Sequence, residues 1–194
     1  MTGLLTFRRH GGRSARAVRD TVEEIYRDSY GEEQQADPFN APDAWMRRFD
    51  AYTANGGFDL VIAYLDGEPA GQAWGWPLAA QEWWSYLVTD PEPGFTDEDG
   101  KRTFALSEIM VRRTWAGRGV AHALHDELLG ARTEKRATLL VEPENEVAYR
   151  AYTAWGWRKA AQLRPPWPDS PTMDVLMLAL PERVTAPLAV ASRA

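Results

Sequence analysis

The sequence predicts an α/β domain on a mixed sheet, and three observations carry that prediction. Strand-like segments outnumber what one pair of helices can cover. Helices alternate with strands through the second half of the chain, the order in which crossovers build a sheet with covered faces. The 194 residues are 44% hydrophobic and 26% charged, ordinary for a globular chain, and at this length one domain buries roughly 70% of its unfolded surface. Neither an internal repeat nor a linker interrupts it, so 1–180 reads as one domain and 181–194 as a disordered, patternless tail.

Each element has its own signal. Residues 4–8 form a short apolar edge strand. Val18, Val22, Ile25 and Tyr26 recur at helical spacing, which predicts a helix over 15–30 capped by Ser14. The polar stretch 31–42 carries Pro38 and Pro42 and reads as a loop. Trp45, Met46, Phe49 and Tyr52 mark a second helix, 43–54, ending near Asn55-Gly56-Gly57. Strands 58–64 and 70–76 follow, joined by Asp66-Gly67, a strong hairpin signal. Residues 77–101 break the rhythm with Trp83, Trp84 and Tyr86 and then an acidic loop. Regularity returns with strand 103–111, helix 118–131, strand 137–142, helix 145–155, strand 157–163 and, after a proline-rich loop, strand 173–180.

Composition removes several function classes. The chain has no cysteine, hence no disulfide, thiolate metal site or thiol nucleophile. The formal charge of −6 argues against a nucleic-acid partner, which needs a basic face. No apolar run approaches the roughly 20 residues that span a bilayer, and the charged start is too short for a secretory signal. The expectation is a cytoplasmic protein, monomeric or homodimeric, with no membrane or nucleic-acid partner.

Three signals stand in order between residues 106 and 157. The first is Ser107-Glu108-Ile109-Met110-Val111, an apolar strand carrying one carboxylate. The second is Ala116-Gly117-Arg118-Gly119-Val120-Ala121, a glycine turn opening a helix. Glycines let successive N–H groups point into one cavity, and the helix start adds free amides and a positive dipole end, together suited to phosphate. A short Gly-x-Gly is also compatible with a plain strand–helix turn. The third signal is Asn145-Glu146-Val147-Ala148 with Tyr152 and Gly156-Trp157.

Taken together these segments resemble the GNAT superfamily of acyl-CoA-dependent N-acyltransferases. The family's turn is Arg or Gln, two residues, Gly, one residue, then Gly or Ala. Gly119 and Ala121 fill the last two places, while Ala116 stands where Arg or Gln is usual. The downstream Asn-x-x-Ala-x-x-x-Tyr-x-x-x-Gly-aromatic pattern is matched in full. The resemblance implies a single-domain fold with a mostly antiparallel sheet flanked by helices. That sheet splays between the strand ending at Val111 and strand 137–142. It also implies acetyl-CoA as acyl-donor co-substrate, without a metal. The pyrophosphate would lie on Ala116, Gly117, Arg118, Gly119, Val120, Ala121 and His122. The pantetheine arm would pair with the backbone of Met110 and Val111, held by Asn145 beside Ala148.

The same resemblance puts Tyr152 near the sulfur as proton donor and Glu108 on the amine as base. Chemistry agrees with the second role: an alkyl amine of pKa near 10 is mostly protonated at neutral pH and needs a base before it attacks. Period-two alternation sets Glu108 and Met110 on one strand face, Ile109 and Val111 on the other. The competing readings are a core aromatic for Tyr152, a helix N-cap for Asn145, and, for Glu108, a glutamate at a strand edge or one paired with Arg112. Trp83, Trp84 and Tyr86 are candidates to stack on a small-molecule amine, or else form a lid or dimer contact. His122 and His125 read as a solvent-facing pair with no third metal ligand apparent. The expected function is N-acetyl transfer to the primary amine of a small molecule by direct attack in a ternary complex. A non-catalytic acyl-CoA sensor on the same fold is the alternative.

Overall fold

The hairpin turn sets the first registers. Asp66 and Gly67 both take positive φ, 53° and 90°, the twist that joins two antiparallel strands through a two-residue turn. They connect β2 (Asp59–Leu65) to β3 (Glu68–Pro77). Before them lies β1 (Leu5–Gly11), antiparallel to β2, and after them β4 (Thr103–Val111), antiparallel to β3. The computed structural model describes residues 3–79 and 81–181. The expected tail therefore lies, Pro181 apart, outside the described residues.

Among the described residues six α-helices accompany the strands. The first expected helix is two: α1 (Gly12–Ala17) and α2 (Arg19–Ser29), broken at Val18, whose φ and ψ of −109° and 20° leave the helical region. Ser14 is not the cap; Gly11 holds that place and Ser14 Oγ donates to its carbonyl. A short α3 (Glu32–Ala36) stands where a loop was expected, followed by α4 (Pro42–Tyr52) with proline in its first turn. The irregular region contains a 3-10 turn, Gln81–Tyr86. Then come α5 (Val120–Gly130), β5 (Arg136–Val141), α6 (Glu146–Ala154), β6 (Arg158–Leu163) and β7 (Met173–Ala179).

The seven strands form one sheet in the order β1-β2-β3-β4-β5-β7-β6. Every neighbouring pair is antiparallel except β4 and β5. That parallel pair meets only at Thr103↔Arg136, Phe104↔Ala137 and Ala105↔Thr138. Beyond it the strands part, as the sequence led us to expect, and the sheet opens there. Two cores lie on its two faces. On one, Val22, Ile25 and Tyr26 of α2 and Trp45 and Phe49 of α4 pack on Leu60, Ile62 and Trp74. On the other, Val120, Leu124 and Leu128 of α5 pack on Val61, Ala73 and Phe104. Among the described residues no helix is long and apolar enough to cross a membrane.

Candidate active site

The opening between β4 and β5 is where the side chains of interest converge, and a bulge decides which. On β3, Trp74 and Gly75 are consecutive; their partners on β4 are Glu108 and Leu106, so Ser107 is extra. Before it, Phe104 and Leu106 face the α5 core. After it, Met110 faces the α2/α4 core, while Ile109 and Val111 pack on the α5 side. Unbroken alternation from Phe104 would bury the Glu108 carboxylate among aliphatics. The extra residue turns it to the other face, where Trp45 Nε1 donates to Glu108 Oε1 at 3.2 Å.

A cavity of about 730 Å³ fills the opening. Ser107, Glu108 and Ile109 of β4, Leu140 and Val141 of β5, and Ala148 and Tyr152 of α6 form its walls toward the sheet. Trp45, Arg48 and Tyr52 of α4 close the opposite side, with Tyr30, Trp76 and Trp167. Glu108 borders the cavity and is half-buried, so lost hydration governs its acidity. Burial pushes its pKa up to about 7, against the opposing pull of Arg48 and the Trp45 hydrogen bond. Burial and then the Glu108 charge raise the phenols of Tyr152 and Tyr30, which keeps both protonated at neutral pH. Glu142, also on the cavity wall, is raised by burial first and by Asp37 and Glu144 next.

The backbone of β4 is open along this stretch. Arg112 N–H is donated to Ala70 of β3 at 2.9 Å. Strand alternation then directs the Met110 N–H toward β3 as well and leaves those of Ile109 and Val111 facing the gap. The Met110 side chain is buried, its sulfur 3.2 Å from Gln72 Nε2.

Farther along, Gly117 and Gly119 take φ of 73° and 80°, values that a side chain rarely adopts. Gly119 is the N-cap of α5 and no side chain caps the helix. The amides of Val120, Ala121 and His122 therefore lack partners within the helix; Ala123 N–H returns to the Gly119 carbonyl at 3.0 Å. Ala116 is exposed, and Arg118 lies 5.0 Å over the Trp115 ring. Asn145 Oδ1 accepts the Ala148 N–H at 3.1 Å as N-cap of α6, and both residues border the cavity. Trp83 and Tyr86 stand on the cavity wall. Trp84 does not; it is buried, and its Nε1 donates to Glu98 at 3.0 Å.

The histidine pair needs correction. His122 is exposed and stacks on Trp155, with ring centroids 5.0 Å apart, but His125 is buried. Trp157 Nε1 donates to His125 Nε2 at 3.0 Å, while Nδ1 lies 2.9 Å from Asp126 Oδ1. The reason is helical geometry: position 125 borders the apolar stripe of Val120, Leu124 and Leu128. Asp126 also joins the pair, the three offering ligand atoms within 4.8 Å of one another. The Trp157 hydrogen bond places the His125 proton on Nδ1, however, which leaves that nitrogen no lone pair for an ion.

Taken in sequence, a bulged strand with one raised carboxylate, an uncapped glycine turn and a phenol-bearing helix follow one another around an open sheet. The model of the acetyltransferase (GNAT) family matches residues 19–157. The chain belongs to the GNAT acetyltransferase family. As a GNAT protein it is an acyl-CoA-dependent N-acyltransferase, with acetyl-CoA as co-substrate. No curated protein sequence matches it. Solved structures do. The ribosomal-protein-S18-alanine N-acetyltransferase from Escherichia coli is 15% identical with a TM-score of 0.62, covering 91% of this chain and 94% of its own. An acetyltransferase from Thermus thermophilus is 14% identical at TM-score 0.62, over 93% and 100% of the two chains. The PaiA N-acetyltransferase from Thermoplasma acidophilum, in complex with coenzyme A, is 10% identical at TM-score 0.55, over 91% and 99%. At such identities the likeness speaks for the fold.

Sequence reasoning missed Arg48, Trp45 and the bulge at Ser107. Arg48 had a signal: it stands in the α4 stripe of Trp45, Phe49 and Tyr52, where an apolar residue is expected. The bulge had none, because it exists only relative to β3.

Proposed function

We propose that this GNAT protein transfers the acetyl group of acetyl-CoA to the primary amine of a small molecule by direct attack in a ternary complex. One observation carries the reading: the bulge at Ser107 delivers a carboxylate of pKa about 7 into the cavity where β4 and β5 part. A base with that acidity is half ionised near neutral pH and can accept a proton from an ammonium group.

Acetyl-CoA supplies the thioester. The uncapped amides of Val120, Ala121 and His122, with the turn at Gly117 and Gly119, suit its pyrophosphate. The unpaired edge of β4 suits the pantetheine arm, and the Val111 N–H suits polarisation of the carbonyl. Glu108 takes one proton from the ammonium; the nitrogen forms its bond to the acetyl carbon as the carbon–sulfur bond breaks, and the second proton it sheds passes to the departing sulfur. Tyr152 donates a hydrogen bond to the departing thiolate. Burial makes that phenol a weak acid, but the Glu108 charge contributes to its weakness. Once Glu108 is protonated that contribution vanishes, so Tyr152 becomes a better donor as the sulfur leaves.

The test is thiol release from acetyl-CoA by the purified protein across a panel of primary amines. Amine-dependent release that disappears in Glu108→Gln supports the reading. Release indifferent to that substitution refutes Glu108 as the base.

A further inference from the structure

We propose that Arg48 binds the carboxylate of the acceptor, and that the acceptor is a free amino acid with an apolar or aromatic side chain; this rests on the acetyl-transfer reading above. Arg48 is 7% exposed and lines the cavity. Its Nη1 donates to the Phe39 carbonyl at 2.6 Å, and its guanidinium lies 3.9 Å from the Phe39 ring centroid. Among the described residues it has no ion-pair partner. A guanidinium is seldom buried without an anion, since the interior strips its hydration and returns little. Here the fork is fixed on one side by the Phe39 carbonyl, and on the cavity side Glu108 acts on it through charge alone, without an ion pair.

The charges around it specify the anion's bearer. Among the described residues Arg48 is the only lysine or arginine on the cavity wall, which also holds Glu108 and Glu142. Trp45, hydrogen-bonded to Glu108, precedes Arg48 by three residues on the same face of α4, a separation of about one turn, or ~5 Å. An ammonium at Glu108 and a carboxylate at Arg48 thus fit one small zwitterion. The remaining wall is aromatic: Tyr52 stacks on Trp76 at 4.4 Å, Trp83 meets Trp76 edge-on at 5.8 Å, and Trp167 donates to the Tyr52 hydroxyl. That surface suits an apolar side chain. In the reaction one ammonium proton passes to Glu108, the amino acid's nitrogen bonds to the acetyl carbon as the carbon–sulfur bond breaks, and the second proton shed by the nitrogen goes to the sulfur, so that CoA leaves as the thiol. The product is an N-acetyl amino acid. A peptide N-terminus has no carboxylate on the carbon that bears its amine and is disfavoured.

Three acceptors of one shape separate the possibilities: L-phenylalanine, L-phenylalaninamide and 2-phenylethylamine. Because their amines differ in basicity, the reading is the kcat/KM ratio of acid to amide in wild type against that in Arg48→Gln. The ratio falls on the order of 10- to 100-fold, mostly through KM, as expected for a lost charge-assisted hydrogen bond. Arg48→Lys recovers part of it. An equal loss for acid and amide overturns the proposal, because Arg48 would then act only by holding Phe39 or by tuning Glu108. Calorimetry with 3-phenylpropionate in the presence of CoA needs neither turnover nor an amine. Binding by the wild type that is lost in Arg48→Gln supports the carboxylate site even if no amine is acetylated, in which case the transfer reading alone fails. No binding by the wild type overturns the proposal, and that result does not depend on whether the variants fold.

Discussion

The two sides of the opened sheet solve different problems with different materials. On the α5 side the candidate donor site is made of main chain: an uncapped helix start, two glycines at positive φ and an unpaired strand edge. On the α2/α4 side the candidate acceptor site is made of side chains. Tyr26 stacks on Trp45 at 4.2 Å, Trp45 and Phe49 both meet Trp74, and Glu108 and Arg48 stand among these rings. Amides are present whatever the residue, so a site built from them tolerates substitution and asks only for backbone conformation. Ala116, where the family usually has Arg or Gln, sits on that tolerant side. A site built from side chains changes with each replacement, which is how one fold takes many acceptors.

The sharpest way to break this contrast is Glu108→Gln, which should cut kcat/KM by about 10² to 10⁴ and leave acetyl-CoA affinity alone. The pH profile sharpens it. A base must be ionised to act, so wild-type kcat/KM rises with pH through about 7, the acidity that burial confers, and then levels. A rise centred near 4.5 instead would mean the carboxylate is hydrated, contrary to its placement here. The same shift acts on stability with the opposite sense. A carboxyl whose folded pKa lies above its unfolded value favours the protonated fold, so stability falls as pH rises from 4.5 through about 7. Differential calorimetry should show Glu108→Gln melting above the wild type past pH 7, with no gain below pH 4.5.

Tyr152→Phe comes next, with a loss in kcat of about 10², the lower end for a proton donor, at unchanged fold and KM. Undiminished turnover would remove the phenol from the mechanism and leave it a packing residue against Trp155 and Trp157. On the tolerant side, Gly119→Val puts a branched side chain at φ 80°, where nothing within 4 Å obstructs it and only conformation is strained. Acetyl-CoA should then bind about tenfold more weakly, measured by titration calorimetry, because left-handed backbone costs an ordinary residue roughly 1–2 kcal/mol. Ala116→Arg is the smallest effect: a few-fold gain in acetyl-CoA affinity, abolished by salt, since the exposed position adds one screened charge. A large gain there would mean that side chains matter on the donor side too.

How far the sequence could be read follows the same division. The strands from 58 to 76, the β4 and β5 segments and the α5 stripe of Val120, Leu124 and Leu128 were legible because periodicity and turn residues are local signals. So was the glycine turn, whose requirement for positive φ is written in the residues themselves. The break at Val18 was not, since valine continues the helical stripe and only its backbone angles interrupt it. His125 was misplaced because a polar residue at the margin of a stripe reads as exposed until its partner, Trp157, 32 residues away, is brought beside it. Trp84 was grouped with Trp83 and Tyr86 by proximity in sequence, and in the 3-10 turn neighbouring residues point different ways.

By itself the sequence determined the class of fold, the order of its elements, the hairpin, the glycine turn and the candidate carboxylate and phenol. Each but the phenol is a matter of residue type and spacing along the chain; the part of the phenol is what the family resemblance implies. Tertiary structure alone decided which face of β4 carries Glu108, because a bulge is a relation between two strands. It also decided that burial pushes the pKa of this carboxylate up to about 7 against the pull of Arg48 and Trp45, because the groups that enclose it come from some 60 residues earlier in the chain. And it left a guanidinium on the cavity wall with no ion-pair partner among the described residues, an arrangement that appears only when α4, β4 and the loop at Phe39 are packed together.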